Sequence, residues 1–180
     1  MRLFIGLPVP ETLQKQLAHA WQKIETYPSK DRPVKPSLWH LTLAFLDDVP
    51  EDHLEKLDEL TGMAVKHPPA GIFTIDAFET FPPRNPTRIV ARTVPQNQMQ
   101  WGMFVDGICD LMSLAAPRVD RKPWKPHISI IRKEKGLKLA HWSAHIDPIA
   151  WKPMEIAIIE SAVGPHGSTY KNRHVFPLDV

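Results

Sequence analysis

Apolar residues recur along the chain with two spacings, which predict helices and strands in an interleaved order. A spacing of three or four residues places apolar side chains on one face of a helix, and alternation places them on one face of a strand. The helical spacing covers residues 11–26, a segment that begins at Pro50 and ends before Pro68, and residues 97–115. Strands are predicted at 2–7, 38–46, 72–80, 87–93, 126–132, 154–163 and 170–177. Residues 133–151 fit neither pattern.

The connections between the predicted strands favour antiparallel pairing. Residues 82–86 contain three prolines and join two strands too tightly for a parallel crossover. We therefore predict an α+β protein in which two antiparallel sheets form a central groove, with the helices outside. We expect residues 1–180 to form a single domain of two pseudo-symmetric lobes, each contributing one histidine strand. This duplication is inferred from the motifs and the element order, since sequence identity between the halves is poor.

Two of the predicted strands carry the same short motif, a histidine followed at the second position by a hydroxyl residue. One strand contains His40 and Thr42, and a later one contains His127 and Ser129. Because side chains alternate between the faces of a strand, histidine and hydroxyl project together while the apolar residues between them project into a core. We expect the two strands to face each other across one groove.

The motif is weak when it occurs alone, since four of the nine histidines satisfy it. His166 lies among glycine and proline residues that are typical of a turn, and His141 lies in a segment without clean alternation. A lone strand histidine is more often a structural residue than a catalyst. Two matching strand motifs, one in each half, favour a catalytic pair.

Composition narrows the class of protein. With 43% hydrophobic residues the chain is able to bury a sizeable core, yet no apolar run approaches the roughly 20 residues of a membrane span. The N-terminal apolar stretch is too short for a signal peptide. A single cysteine, Cys109, excludes an internal disulfide and a multi-cysteine metal site, and favours the cytoplasm. The net charge of +2 is too small for non-specific duplex binding but permits local basic clusters.

The two motifs resemble those of the 2H phosphoesterase superfamily, which is named for them. Within it, the chain is similar to the RNA 2′,3′-cyclic phosphodiesterase family, formerly called 2′-5′ RNA ligase. The similarity covers nearly the whole chain and is carried by Arg2–Ile5, His40–Leu46, Arg88–Val90, Pro126–Arg132, and Ser161, Gly164 and Tyr170. The chain departs from the family pattern at Ser129 (usually threonine), at Asp47 (usually glycine) and at Gly6–Pro8. None of these departures removes a required functional group.

The resemblance implies hydrolysis of 2′,3′-cyclic phosphate ends to 2′-phosphates without a metal or a cofactor, and it allows reversible 2′-5′ ligation. The partner is then an RNA or nucleotide with such an end, and we expect a monomer that requires neither a protein partner nor a membrane. Imidazoles suit both proton-transfer roles. The resemblance implies that His127 activates water and His40 protonates O3′, while Thr42 and Ser129 donate to the non-bridging phosphate oxygens.

Other residues receive weaker assignments. Arg132 lies five residues after His127, an odd offset that points it to the opposite face unless a bulge intervenes, although the resemblance favours a substrate role. Tyr170 is a second candidate for substrate binding, through stacking or a hydrogen bond, against its interpretation as an ordinary strand aromatic. Phe45 is predicted to be core, because strict alternation places it on the apolar face of its strand. A basic rim for an RNA chain is predicted from Arg84, Arg88 and Arg92.

Other functions remain open. A metalloenzyme is poorly supported, because His141 and His145 have ligand spacing for a helix face but lack an obvious third ligand. A non-catalytic nucleotide- or RNA-binding module of the same superfamily would keep the fold without turnover. A 2′,5′-oligonucleotide phosphodiesterase would use the same four residues. Retention of both histidines and both hydroxyls favours an enzyme, a phosphoric diester hydrolase.

Overall fold

The helices and strands lie close to the predicted segments. The structure, a computed structural model, describes residues 1–24, 33–132, 141–164 and 167–178. The helices are α1 (Glu11–Gln22), α2 (Leu54–Ala64) and α3 (Gln98–Met112). The strands are β1 (Arg2–Pro8), β2 (His40–Asp48), β3 (Phe73–Phe81), β4 (Arg88–Pro95), β5 (His127–Arg132), β6 (Ser143–Trp151), β7 (Glu155–Gly164) and β8 (Gly167–Pro177). Of the segment that fitted neither pattern, 133–140 lies outside the described residues and the rest contains β6.

Helix α3 shows why the apolar spacing predicted the helices well. Its predicted stripe is buried throughout and consists of Trp101, Val105, Ile108, Met112 and Ala115. The regular helix ends at Met112, before the predicted end at 115, and the chain then tightens: the Leu114 and Ala115 amides donate to the carbonyls three residues back, those of Leu111 and Met112, at 3.0 Å each. Ala115 stays in the core although it lies outside the helix, since burial depends on the packed surface and not on the helix boundary.

The eight strands form one antiparallel sheet in the order β6-β3-β4-β5-β2-β1-β7-β8. The α+β class and the antiparallel pairing are therefore confirmed. The predicted hairpin of residues 72–80 and 87–93 is the β3–β4 pair, and the last two predicted strands form the β7–β8 pair. None of the helices within the described ranges is long and apolar enough to cross a membrane.

The prediction of two separate sheets was wrong in one respect, because the two motif strands are neighbours in a single sheet. Strands β2 and β5, both fully described, pair at one position, Leu41 opposite Ile128. Beyond that pair, carbonyl groups of both strands accept hydrogen bonds from residues outside the sheet. The Val34 amide donates to the Ile130 carbonyl at 2.7 Å, and the Trp124 indole donates to the Thr42 carbonyl at 3.0 Å. The alternating pattern fixed which face each side chain takes, but it contained no information on whether the two strands face or pair with each other.

Candidate active site

The pairing of the two motif strands assembles the four predicted polar residues. Opposite residues in an antiparallel ladder lie on the same face, and one step along each strand reverses the face. Because Leu41 lies opposite Ile128, His40 lies beside Ser129 and Thr42 lies beside His127. Leu41 and Ile128 themselves are completely buried on the core side. The four side chains therefore lie together on the face opposite the core, with the two histidines diagonal to each other.

Both imidazoles are oriented by a hydrogen bond to a backbone carbonyl. Nδ1 of His40 lies 2.8 Å from the carbonyl of Leu38, and Nδ1 of His127 lies 2.7 Å from the carbonyl of Lys125. A carbonyl only accepts hydrogen bonds, so each Nδ1 carries the proton and each Nε2 is available for proton transfer. The rings also pack on phenylalanines, with centroid distances of 4.6 Å from His40 to Phe4 and 4.4 Å from His127 to Phe81.

Both histidines are neutral at pH 7. Burial lowers the pKa of His40 from 6.5 to about 4; the bond to the Leu38 carbonyl opposes this effect, and the positive charges of Arg132 and His127 add to it. Burial also lowers the pKa of His127 to about 4, with further lowering from Arg88 and Arg132. Each Nε2 therefore presents a lone pair, and an anion bound between the rings would favour their protonation.

These pKa values predict a stability that depends on pH. Between pH 6.5 and pH 4 the unfolded chain binds protons that the folded chain excludes, so the free energy of unfolding falls as the pH is lowered. The expected loss is about 3 kcal/mol for each histidine. Urea denaturation at pH 7.0, 5.5 and 4.5 measures it. His40→Asn should lose clearly less stability across this range than the native chain, and equal losses in the two proteins would contradict the assigned pKa of His40.

Arg132 faces the groove in spite of its odd offset from His127. In the β4–β5 pair, Val90 lies opposite Ser129 and Arg88 lies opposite Arg132, so Ile130 is one extra residue in β5. This bulge returns Arg132 to the face of the histidines. One of its guanidinium nitrogens donates to the Tyr170 hydroxyl at 2.9 Å.

Tyr170 links Arg132 to the first histidine. Its ring lies edge-on to His40, with centroids 4.9 Å apart, and also contacts Phe4 at 5.5 Å. The structure thus brings Arg132 and Tyr170 to the four motif residues, as sequence reasoning proposed. Their contact with a substrate stays a prediction.

The three arginines of the predicted basic rim occupy different environments. Arg92 makes two hydrogen bonds of 2.9 Å to the carboxylate of Asp76, and Arg84 lies on the exposed segment between β3 and β4. Arg88 lies in the groove with its Nε buried and without a hydrogen-bond partner among the described residues. Burial and the charge of Arg132 both lower the pKa of Arg88. Neither Arg88 nor Arg132 has a carboxylate partner among the described residues, and two adjacent guanidinium groups in that state are typical of an anion site.

The prediction that Phe45 belongs to the core was wrong, since 44% of its surface is exposed. In the β1–β2 pair, Gly6 lies opposite Thr42 and Phe4 lies opposite Phe45, so Leu43 is one extra residue in β2. Strict alternation fails at this bulge, and Phe45 joins the groove face. Sequence reasoning missed Phe45 as a site residue because an extra residue in a strand leaves no mark in the apolar pattern.

The groove contains two adjoining compartments. The His40 compartment, about 610 Å³, also contains Phe4, Arg88, Arg132 and Tyr170. The His127 compartment, about 590 Å³, also contains Thr42, Phe81, Val105 and Trp124. Phe45 lines both compartments, as do Arg121 and Lys122 from the loop between α3 and β5. That loop is attached to β2 by the hydrogen bond from the Asp120 amide to the Phe45 carbonyl, 3.0 Å long.

His141, which shares the sequence pattern and is described, does not join this site. His141 precedes β6 and His145 lies within it, so the helix face that their ligand spacing required does not form. The charge of His145 contributes to the lowered pKa of Asp76. His166 lies outside the described residues. Within the part of the chain that the structure describes, no group of three or more histidine, cysteine or acidic residues is placed to hold a metal ion.

Comparisons with known proteins find similar proteins both by sequence and by fold. A family model described as LigT like Phosphoesterase matches residues 7–91. A curated protein of Thermus thermophilus, RNA 2′,3′-cyclic phosphodiesterase, is 25% identical over 186 positions, which cover 99% of this chain and 90% of that protein. A crystal structure from Thermus thermophilus has a TM-score of 0.80 at 25% identity, covering 99% of this chain and 98% of that one. Escherichia coli LigT complexed with 3′-AMP has a TM-score of 0.73 at 19% identity, with coverages of 99% and 98%.

Proposed function

We propose that the chain is a LigT-like phosphoesterase and, more specifically, an RNA 2′,3′-cyclic phosphodiesterase, because it resembles such proteins in sequence and in fold over nearly its whole length. The observation that carries the proposal is the pair of imidazoles on adjacent strands, each with Nδ1 bound to a carbonyl and Nε2 available. A general base and a general acid are what the opening of a cyclic phosphate requires. A curated relative in Thermus thermophilus carries this activity in its name.

The proposed reaction is an in-line displacement at phosphorus. His127 is the more exposed of the two histidines, so we assign it to the attacking water: its Nε2 takes a proton as the water oxygen bonds to phosphorus. The bond from phosphorus to O3′ breaks, and O3′ receives the Nε2 proton of His40, which reacts in its protonated form; the bound phosphate favours that form. The products are a 2′-phosphate and a 3′-hydroxyl, and one proton has passed from His40 to the substrate and one from water to His127.

Charge on the phosphoryl oxygens is stabilised by groups already in place. Thr42 and Ser129 offer hydroxyl donors beside the histidines, and Arg132 and Arg88 offer two guanidinium groups. Donors fixed before the reaction need no reorganisation as charge develops, which makes such stabilisation effective. The His40 compartment is basic as well, since among the described residues that line it six are arginine or lysine and two are aspartate. This balance suits the phosphates of an RNA chain.

The same arrangement also joins RNA ends when a 5′-hydroxyl replaces water. Its oxygen bonds to phosphorus and gives its proton to His127, while the bond to O3′ breaks and O3′ takes the proton of His40, which leaves a 2′-5′ linkage. In the reverse reaction the 3′-hydroxyl attacks that linkage and expels the 5′-hydroxyl, and the two histidines exchange proton roles by microscopic reversibility. We therefore include reversible 2′-5′ ligation in the proposed activity. It needs two RNA ends held at once, which the two adjoining compartments of the groove accommodate.

The test is a product analysis with EDTA-treated protein. Adenosine 2′,3′-cyclic phosphate and a short RNA with the same end are incubated with the native chain and with the variant His40→Asn/His127→Asn, and ³¹P NMR identifies the product. Formation of the 2′-monophosphate by the native chain alone supports the proposal. A 3′-monophosphate would contradict the assigned scissile bond. No turnover of either substrate would favour a 2′,5′-oligonucleotide phosphodiesterase or a binding module.

Replacement of Arg88 should affect binding and stability in opposite directions. We expect Arg88→Met to weaken the binding of 2′-AMP roughly 10- to 100-fold, because one charge-assisted hydrogen bond is lost. Thermal stability should rise, since a partly buried charge that has no carboxylate partner among the described residues is replaced by an apolar side chain. Calorimetric titration and thermal melting measure the two effects. Arg84→Met, on the exposed segment between β3 and β4, is the matched control and should change neither; unaltered binding in Arg88→Met would remove Arg88 from the proposed site.

We also infer that the two halves of the sheet, β6-β3-β4-β5 and β2-β1-β7-β8, are pseudo-symmetric lobes of one domain. Each half supplies one histidine strand, one carbonyl bond to Nδ1 and one phenylalanine against the imidazole. Such equivalence supports an origin by duplication.

We propose in addition that the protein acts in the cytoplasm as a monomer. Its cysteine, Cys109, is a buried free thiol, which fits a reducing compartment. Size-exclusion chromatography with light scattering tests the monomer, whose mass from the sequence is 20.5 kDa.

A further inference from the structure

We propose that Phe45 is a stacking platform for the nucleobase of the nucleotide that carries the cyclic phosphate. The proposal rests on the proposed phosphodiesterase function and names the part of the substrate that lies beside the phosphate. It also makes Phe45 a residue that separates nucleotides from other cyclic phosphates.

The exposure of Phe45 is the first observation. Its ring borders both compartments of the groove, and 44% of its surface is exposed. An apolar ring that lines a basic groove does not contribute to the hydrophobic core. The bulge at Leu43 directs it there, and bulges beside active sites commonly re-aim a side chain.

The support of the ring is the second observation. Phe4 contacts it on one side, with a centroid distance of 6.0 Å and an angle of 47° between the planes. Its own carbonyl accepts the hydrogen bond from the amide of Asp120. The backbone of Phe45 is thus fixed by a hydrogen bond and one side of its ring contacts Phe4, while the exposed part of the ring remains accessible to a planar partner.

Its position relative to the proton-transfer groups is the third observation. Phe45 follows Thr42 by three residues on β2, which is about 10 Å of strand. In the proposed reaction O3′ leaves at His40, so the ribose and its base lie on the side of the His40 compartment. Phe45 lines that compartment together with Val119, the residue before Asp120. A base attached to that ribose therefore lies within reach of the ring.

Stacking on a phenylalanine uses only the π-face that all nucleobases share. We therefore expect adenosine, guanosine, cytidine and uridine 2′,3′-cyclic phosphates to have KM values that differ little from one another. A substrate without a base should differ strongly from all four.

The experiment compares adenosine 2′,3′-cyclic phosphate with 1-O-methylribose 2,3-cyclic phosphate, which has a methoxy group in place of the base. In the native chain we expect the KM of the base-free substrate to be roughly 10- to 100-fold higher, from the usual strength of base–aromatic stacking. Phe45→Leu should raise the KM of the adenosine substrate by that factor and leave the KM of the base-free substrate unchanged. Phe45→Trp should retain the native preference, and Met99→Leu, on an exposed residue of α3, is the surface control.

Three results would overturn the proposal: equal KM values for the two substrates in the native chain, an equal rise for both in Phe45→Leu, or a rise for neither. If the native chain turns over neither substrate, the proposed function fails, and the role of Phe45 is then decided by binding alone. Calorimetric titration with 2′-AMP and with ribose 2-phosphate gives the same comparison without turnover. A preference for 2′-AMP that Phe45→Leu abolishes supports the platform, and a preference that it leaves intact refutes it.

Discussion

We expect His40→Asn and His127→Asn each to lower kcat for a 2′,3′-cyclic phosphate by about 10²- to 10⁴-fold, which is the usual contribution of one positioned proton-transfer group. Asparagine keeps an amide that is able to bond to the carbonyl of Leu38 or Lys125, so the backbone around the site is preserved. It lacks the Nε2 atom and with it the proton transfer. Steady-state kinetics with adenosine 2′,3′-cyclic phosphate measures the loss.

The double variant should be little worse than the poorer single one, because the two imidazoles act in one concerted step and such effects are not additive. Binding of 2′-AMP should persist in all three variants, since Arg88, Arg132 and the hydroxyls remain. The matched control is His19→Asn, on the exposed face of α1, which should keep full activity. A kcat within about threefold of the native value in either single variant, far short of the loss expected for a proton-transfer group, would end the two-histidine mechanism.

The second large effect is a dependence of kcat/KM on pH that differs from that of an ordinary histidine pair. Turnover needs one neutral and one protonated imidazole, and both pKa values lie near 4 in the free protein. Above about pH 5 the protonated form becomes scarce, so kcat/KM should fall close to tenfold for each pH unit up to pH 8. The maximum should lie near pH 4 to 5, within the limit set by acid unfolding.

The profile of kcat should extend to higher pH than that of kcat/KM. A bound phosphate brings a negative charge next to both rings and raises their pKa. The charge of Arg132 contributes to the lowered pKa of both histidines, so Arg132→Gln should shift the alkaline limb of kcat/KM to higher pH while it reduces the rate. A maximum of kcat/KM near pH 7 in the native chain would show that the rings titrate at their ordinary value.

The placement of Arg132 and Phe45 shows where sequence reasoning stops. Alternation predicts faces correctly only while each residue of a strand has one partner. One extra residue, Ile130, returns Arg132 to the groove, and another, Leu43, moves Phe45 out of the core. A bulge changes how the residues of a strand pair with the neighbouring strand, but it does not change the residues themselves. The apolar pattern of the strand is therefore the same with or without it.

The basic rim illustrates a different limit. Arg84, Arg88 and Arg92 are equivalent in the sequence, spaced at four residues. Their surroundings in the fold differ: Arg92 is paired with Asp76, sixteen residues earlier, whereas Arg88 lies beside Arg132, forty-four residues later. Charge pairing over such separations depends on strand order, which local spacing does not encode.

The sequence by itself determined the helices and every strand except β6, the antiparallel class, and the fact that each histidine projects with its hydroxyl away from the core. These properties follow from local periodicity, because a side chain's face is set by its neighbours in the chain. The tertiary structure alone decided that β2 and β5 pair at Leu41 and Ile128, that the Nε of Arg88 is buried in the groove, and that burial holds both histidines neutral. Register, pairing and desolvation are properties of distant segments brought into contact, and so they exist only in the folded chain.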